Sequence, residues 1–192
     1  MASKISIISG AAVRLGNDPV ISLDEGSKAA TVGSNLYDTV LESLLAAHRW
    51  RFATGKKDLD LLADTPLNEW QYAYQLPANP KVITIIRVYP RMEYERFEDK
   101  IYCESNQGIA IDYVYRPTEE YFPAFFVDLV EYRMAMEMAL PITGSRTLRD
   151  QFRADLVGNG AQPGVMAYAM AADSRERPPE AIVDSPFTDV RR

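Results

Sequence analysis

Cys103 and His48 are the only cysteine and the only histidine in this 192-residue chain. A thiolate nucleophile needs a base within reach, and a structural zinc site needs about four such ligands. One cysteine and one histidine, far apart in sequence, supply neither, and a lone cysteine closes no internal disulfide. Carboxylates remain. Paired acids can act as proton donor and acceptor in glycoside hydrolysis, and the nearest pairs are Glu119/Glu120 and Asp58/Asp60. The first pair suits the electropositive first turn of a helix, and the second a solvated face of mixed charge. No Ser-His-Asp order and no dinucleotide fingerprint occurs. Gly158 to Gly164 is glycine-rich like a phosphate loop, but no Gly-Lys-Ser/Thr follows it and no strand precedes it. It reads as a break or hinge. The chain is expected to be no enzyme, with no cofactor and no metal.

Composition narrows the classes further. Apolar residues make up 47% and charged residues 25%, as in ordinary globular proteins. The net charge is -6 and the pI about 4.9. Without a dense run of Lys and Arg, a sequence-reading nucleic-acid binder is not expected. No apolar run is long enough for a membrane span. Met1-Ala2-Ser3-Lys4 is not a charged leader ahead of an apolar block, so export is not expected.

The elements that must position these residues follow from periodicity. Ser3 to Leu15 reads as a helix stopped by Gly16. Ser27 to His48 reads as a second, with Leu36, Tyr37, Val40, Leu41, Leu44 and Leu45 on one half of its circumference. His48 then sits at its end on the apolar side. Trp50 and Phe52 suggest an extended, packed segment. Between residues 70 and 116 the period changes to two. Tyr72 to Leu76, Lys81 to Tyr89, Tyr94 to Phe97, Lys100 to Cys103 and Ile109 to Tyr115 read as four or five strands of one small antiparallel sheet. Pro117 and Thr118 open a helix to about Leu140, which Pro141 to Ser145 breaks. Helical spacing resumes near Arg146 and again from Val165 to Asp173.

The helix ending at Leu140 is unusual. Phe125, Phe126, Leu129, Val130, Met134, Met136 and Met138 do not fall on a single stripe. A helix apolar nearly all round must be covered on more than one side, and the expectation is that sister subunits cover it, with these seven residues at the interface. The segment 174–192 is rich in proline and charge and has only Ile182, Val183, Phe187 and Val190 as sizeable apolar groups. It is expected to be an extended tail that docks on a neighbouring protein through those four. The expected fold is therefore α+β: a helical bundle of N- and C-terminal helices (1–69 and 117–173), an inserted antiparallel β domain (70–116) and an extended C-terminal tail (174–192).

Several short stretches resemble one known family in order and spacing. They are Leu15-Gly16, Pro19-Val20-Ile21-Ser22-Leu23-Asp24-Glu25, His48-Arg49-Trp50-Arg51-Phe52-Ala53, Tyr72-Ala73-Tyr74-Gln75-Leu76-Pro77, Leu140-Pro141-Ile142-Thr143-Gly144-Ser145 and Ala171-Ala172-Asp173. Together they resemble the tail tubular protein A family, the head-to-tail adaptors of short-tailed, T7-like bacteriophages. His48, Trp50 and Phe52 carry its His-x-Trp-x-Phe-Ala pattern. Arg49 and Arg51 depart from it, standing where that pattern has Pro and Asn, and Gly158 to Gly164 interrupts what would be one helix. The resemblance implies a virion protein of the tail or neck, made in the host cytoplasm. It implies a ring of copies, dodecameric by analogy, between the portal protein and the tail nozzle (tubular protein B). Genomic DNA would pass through the central channel without being read, and an acidic lumen would let phosphates slide. Rival readings are a connector of long-tailed phages, a small carboxylate-based hydrolase with two facing carboxylates in a deep pocket, and a ligand-binding module using Tyr72, Tyr74, Tyr113 and Tyr115.

Overall fold

A computed structural model of the chain describes residues 2–63, 66, 69–160 and 162–176. Among these residues the chain is α+β, with five α-helices and two antiparallel sheets of three strands. The helices are α1 (Lys4–Arg14), α2 (Lys28–Ala47), α3 (Ala124–Thr143), α4 (Arg146–Val157) and α5 (Val165–Arg175). The strands, β1 (Thr54–Leu59), β2 (Tyr72–Gln75), β3 (Val82–Tyr89), β4 (Tyr94–Phe97), β5 (Lys100–Cys103) and β6 (Ile109–Tyr115), lie between α2 and α3.

Local chemistry starts the helices. Ser3 and Ser6 form a reciprocal cap at α1, each hydroxyl accepting the other's backbone N–H, at 3.1 and 2.9 Å. The Ser27 hydroxyl accepts from Ala30 N–H at 3.1 Å to start α2, and Ser145 does the same for Leu148 in α4. Pro123 delays α3. It holds the preceding Phe122 extended, so Glu119–Tyr121 is only a 3-10 turn and the helix expected from Pro117 begins at Ala124. Its other end also differs from expectation. Pro141 lies inside α3 rather than ending it. In the last turn a proline costs only the bond that the Glu137 carbonyl would accept. Gly144, left-handed at φ 71, is the actual stop.

α3 is the axis of the helical core, and α1, α2, α4 and α5 all pack on it. The seven residues expected at a subunit interface are consequently inside the molecule. Phe126, Leu129, Val130, Met134 and Met138 are fully buried, Met136 is 8% exposed, and Phe125 is half-buried against the same core. The inference from an over-apolar helix to sister copies fails here: four helices of the same chain surround α3. The shielding is completed because the Gly158 to Gly164 break turns α5 back onto α3. In that break Gly158 and Pro163 bridge, and Gln162 N–H donates to the Asn159 side chain at 3.0 Å. Close approach elsewhere depends on glycine: a Cβ on Gly33 of α2 would overlap the Cγ2 methyl of Ile8 on α1.

The strands form two sheets, ordered β1-β6-β3 and β2-β5-β4, rather than one. They enclose a second core containing Leu59, Tyr74, Val82, Val88, Ile101, Cys103, Ile111 and Tyr113. One side of this sandwich is closed by backbone, through Leu62 N–H to Ala73 carbonyl at 2.9 Å and Gln75 N–H to Asp60 carbonyl at 3.2 Å. The other side is closed by the Arg96 guanidinium of β4, which donates to the carbonyls of Val82 and Ile83, both at 3.2 Å. Thr54–Leu59 belongs to this β unit although residues 1–69 are expected in the helical part. Val114, Ile83 and Ile86 pack against the helical core and join the two units. At the C-terminal end, Ser174 and Arg175 continue α5. Ile182, Val183, Phe187 and Val190 lie outside the described residues.

Candidate functional site

The segment from His48 to Ala53 leaves α2 and turns into β1. Trp50 is fully buried and its indole N–H donates to the Leu44 carbonyl at 2.8 Å. Its ring meets His48 edge-on at 4.8 Å between centroids and Phe126 at 5.0 Å. Phe52 lies 4.7 Å from Phe126 and 5.9 Å from Phe122. Aromatic pairs of this geometry add about 0.5–1.5 kcal/mol each beyond burial. His48, Trp50 and Phe52 are therefore a packing cluster, with the histidine at its edge.

Asp173 of α5 completes the cluster. Its side chain is 3% exposed, accepts the Arg51 backbone N–H at 2.9 Å and lies 3.5 Å from His48 Nε2. A buried carboxylate is stable only with donors of this kind. The His48 to Ala53 and Ala171 to Asp173 stretches, widely separated in sequence, thus close on one another.

Of the carboxylate pairs, Glu119 and Glu120 are engaged in the fold. Glu119 accepts from the Tyr37 hydroxyl at 3.3 Å and Arg116 at 3.4 Å, and Glu120 from the Thr118 hydroxyl at 3.3 Å. Burial, reinforced by the Glu119 charge, pushes the Tyr37 hydroxyl far above the ordinary tyrosine range. Asp58 and Asp60 are exposed, on and just beyond β1. Asp128 and Asp155 share one hollow of about 490 Å³ between α3, α4 and α5, with Phe125, Tyr132 and Tyr168. Two acids in one hollow are not yet an acid–base pair, and Arg14 takes Asp128 at 2.5 Å and Glu131 at 2.9 Å. Burial alone would lower the Arg14 pKa, but the Glu131 hydrogen bond and the Asp128 and Glu131 charges together raise it. The triad clamps α1 to α3. Tyr74 and Tyr113 are inside the sheet core, with Tyr72 and Tyr115 half-buried at its margin, so the four tyrosines form no open ligand face.

One constellation was not foreseen. Asp112 of β6 is 1% exposed. Its Oδ2 accepts from the Tyr89 hydroxyl at 3.2 Å, and the Tyr89 oxygen accepts from Arg87 at 3.1 Å. Lys56 Nζ stands 3.5 Å from Oδ1 and Arg49 3.6 Å from Oδ2. Among the described residues, Oδ1 has no hydrogen-bond donor. The signal was present in Lys56-Lys57-Asp58, but those charges read as a solvated face, and the pairing of β1 with β6 places Lys56 opposite Asp112.

Among the described residues, no group of His, Cys, Asp or Glu is placed to hold a metal ion, and no helix is long and apolar enough to cross a membrane. A scan against models of known protein families finds no match for the chain, and a search of curated proteins finds none either.

Proposed function

We propose that the chain is a structural phage adaptor of the tail tubular kind. Copies of it form a ring between the portal and the tail nozzle, with a central channel for the genome. The observation that carries the reading is the junction at Asp173. The His48 to Ala53 and Ala171 to Asp173 stretches of the resemblance are one physical unit, held by the Arg51 amide and His48. The order of the elements supports it too: helices from both ends of the described chain share a core, with the β unit inserted between them. The finer fold belonging to this proposal is a helical bundle with an extended C-terminal tail, in which Ile182, Val183, Phe187 and Val190 dock on the portal. The protein then acts as a virion component of the neck.

The ring no longer has α3 as its contact, because α3 is covered within each copy. Neighbouring copies must meet through other surfaces, and the β unit offers the most distinctive ones. The test is electron microscopy of the full chain mixed with purified portal rings. Annular density stacked on the portal supports the adaptor reading. Bare portal rings at saturating chain concentration refute it.

A further inference from the structure

The β unit carries opposite charge on its two outer faces. On the outer side of β1-β6-β3, the cations Arg49, Lys56 and Arg87 surround Asp112, with Asp58 along the same hollow. The central carboxylate is enclosed, whereas the Lys56 side chain is 76% and the Arg49 side chain 50% exposed. The cations reach solvent and the buried anion does not. Tyr89 adds a partly exposed aromatic ring.

The outer side of β2-β5-β4 is acidic. Glu93, Glu95, Glu98, Asp99 and Glu104 are exposed on or beside the β4–β5 hairpin. Glu93 and Glu104 line one hollow there. The nearby cations offset them only in part: Arg91 is exposed next to Glu93, but Arg96 is taken by the Val82 and Ile83 carbonyls and Lys100 is half-buried. Phe97 projects from this face, half-exposed, with its ring edge against Tyr102. Strand alternation sets the geometry. Ile111 and Tyr113 enter the shared core, so Asp112 and its cations face away from it. Ile101 and Cys103 enter the same core from the other sheet, so Tyr102 and Glu104 face away on the opposite side. One chain cannot bring its own two patches together.

We infer that the acidic β4–β5 face of one copy docks on the Arg49–Lys56–Arg87 corner of the next. Phe97 of the first copy lies against Tyr89 of the second, inside a rim of opposite charges. Two different patches meeting head to tail make a heterologous contact, which closes into a ring when the rotation allows. The inference rests on the ring reading and specifies which surfaces build it. A nucleic-acid strand suits the corner less well: Asp58 and Asp112 stand among the cations, and a single cluster is too short to follow a run of phosphates.

A charge swap tests it, with the full chain in sedimentation velocity over a wide concentration range. One variant carries Arg49→Glu and Arg87→Glu, two exposed cations on the Asp112 side of the sheet, leaving Lys56 beside Asp112. A second carries Glu93→Lys and Glu98→Lys, two exposed positions. Each alone is expected to weaken self-association by on the order of a hundredfold, since like charges then face each other. The two variants mixed together are expected to associate again, because each now complements the other. Wild-type association is expected to weaken between about 50 mM and about 500 mM salt as screening tightens. Circular dichroism melts establish that each variant is folded, and the hairpin variant alone suffices if the other is not. If wild-type copies form rings, alone or on a portal, and the folded variants form them equally well, this contact is wrong and the ring reading stands. If wild-type copies associate under neither condition, both fall. Wild-type binding to short duplex DNA that the first variant abolishes, with self-association unchanged, reassigns the corner to nucleic acid and overturns the inference.

Discussion

Replacing Asp173 with alanine removes the one side chain that ties the Arg51 amide and His48 to α5. The Arg51 N–H, now without its 2.9 Å acceptor, loses a charge-assisted bond in a part-buried site, a loss of about 1.5–3 kcal/mol. The His48 contact adds less. At 3.5 Å it is long for a hydrogen bond, and the ring is 27% exposed, so its share is about 0.5 kcal/mol or below. The expected cost of Asp173→Ala is therefore about 2–3 kcal/mol, or roughly 4–12 °C in Tm for a chain of this size. Asp173→Asn keeps an acceptor oxygen and is expected to cost about half as much. His48→Gln is expected to cost least. Urea unfolding followed by tryptophan fluorescence at neutral pH gives all three values, since Trp50 sits in the affected cluster. An Asp173→Ala cost under about 0.5 kcal/mol, or a His48→Gln cost above that of Asp173→Ala, would refute the reasoning.

Three further outcomes are expected. Met134→Ala empties a fully buried site on α3 and is expected to cost about 2–5 kcal/mol in denaturant, without changing subunit affinity once the variant is folded; loss of association in the folded variant would return α3 to the interface. Gly33→Val drives a side chain into Ile8 and is expected to lose about 1–3 kcal/mol of stability or more, read as a lower urea midpoint, whereas Asn35→Ala on the same helix is expected to be near neutral. Asp38 has a lowered pKa: burial alone would raise it, but hydrogen bonds from Arg116 at 2.8 Å and Lys4 at 3.1 Å outweigh that. A depressed carboxylate adds stability above its unfolded pKa and loses it as pH falls through the folded value, so acid unfolding is expected to steepen below about pH 4, less so in Asp38→Asn, as followed by circular dichroism.

Legibility followed the local physics. β4, β5 and β6 stand where alternation and turn residues put them, because two-residue periodicity and a hairpin turn at Glu98-Asp99 are local signals. β1 was hidden because an edge strand carries charge on its solvent side. Lys56-Lys57-Asp58 protects the edge and looks like a solvated face of mixed charge. The division into two sheets was also invisible, since it depends on long-range pairing: β6 pairs with β1 and β3, while β5 pairs with β2 and β4. α3 gave the most instructive error. Its all-round apolarity was legible, but what covers it was not. Only the return of α5 after Gly158 to Gly164, together with α1, α2 and α4, shields it within one copy. The His48–Asp173 junction joins two stretches that periodicity cannot connect. The cluster around Asp112 likewise depends on register, with Lys56 and Arg87 both opposite Asp112 across the sheet.

The adaptor claim is tested most directly by the sedimenting mass of the full chain, alone and with purified portal rings. The account predicts a complex holding many copies of the chain per portal ring, with few intermediates between free chain and full complement. A chain that sediments as a single copy in both samples, leaving the portal at its own mass, would contradict it.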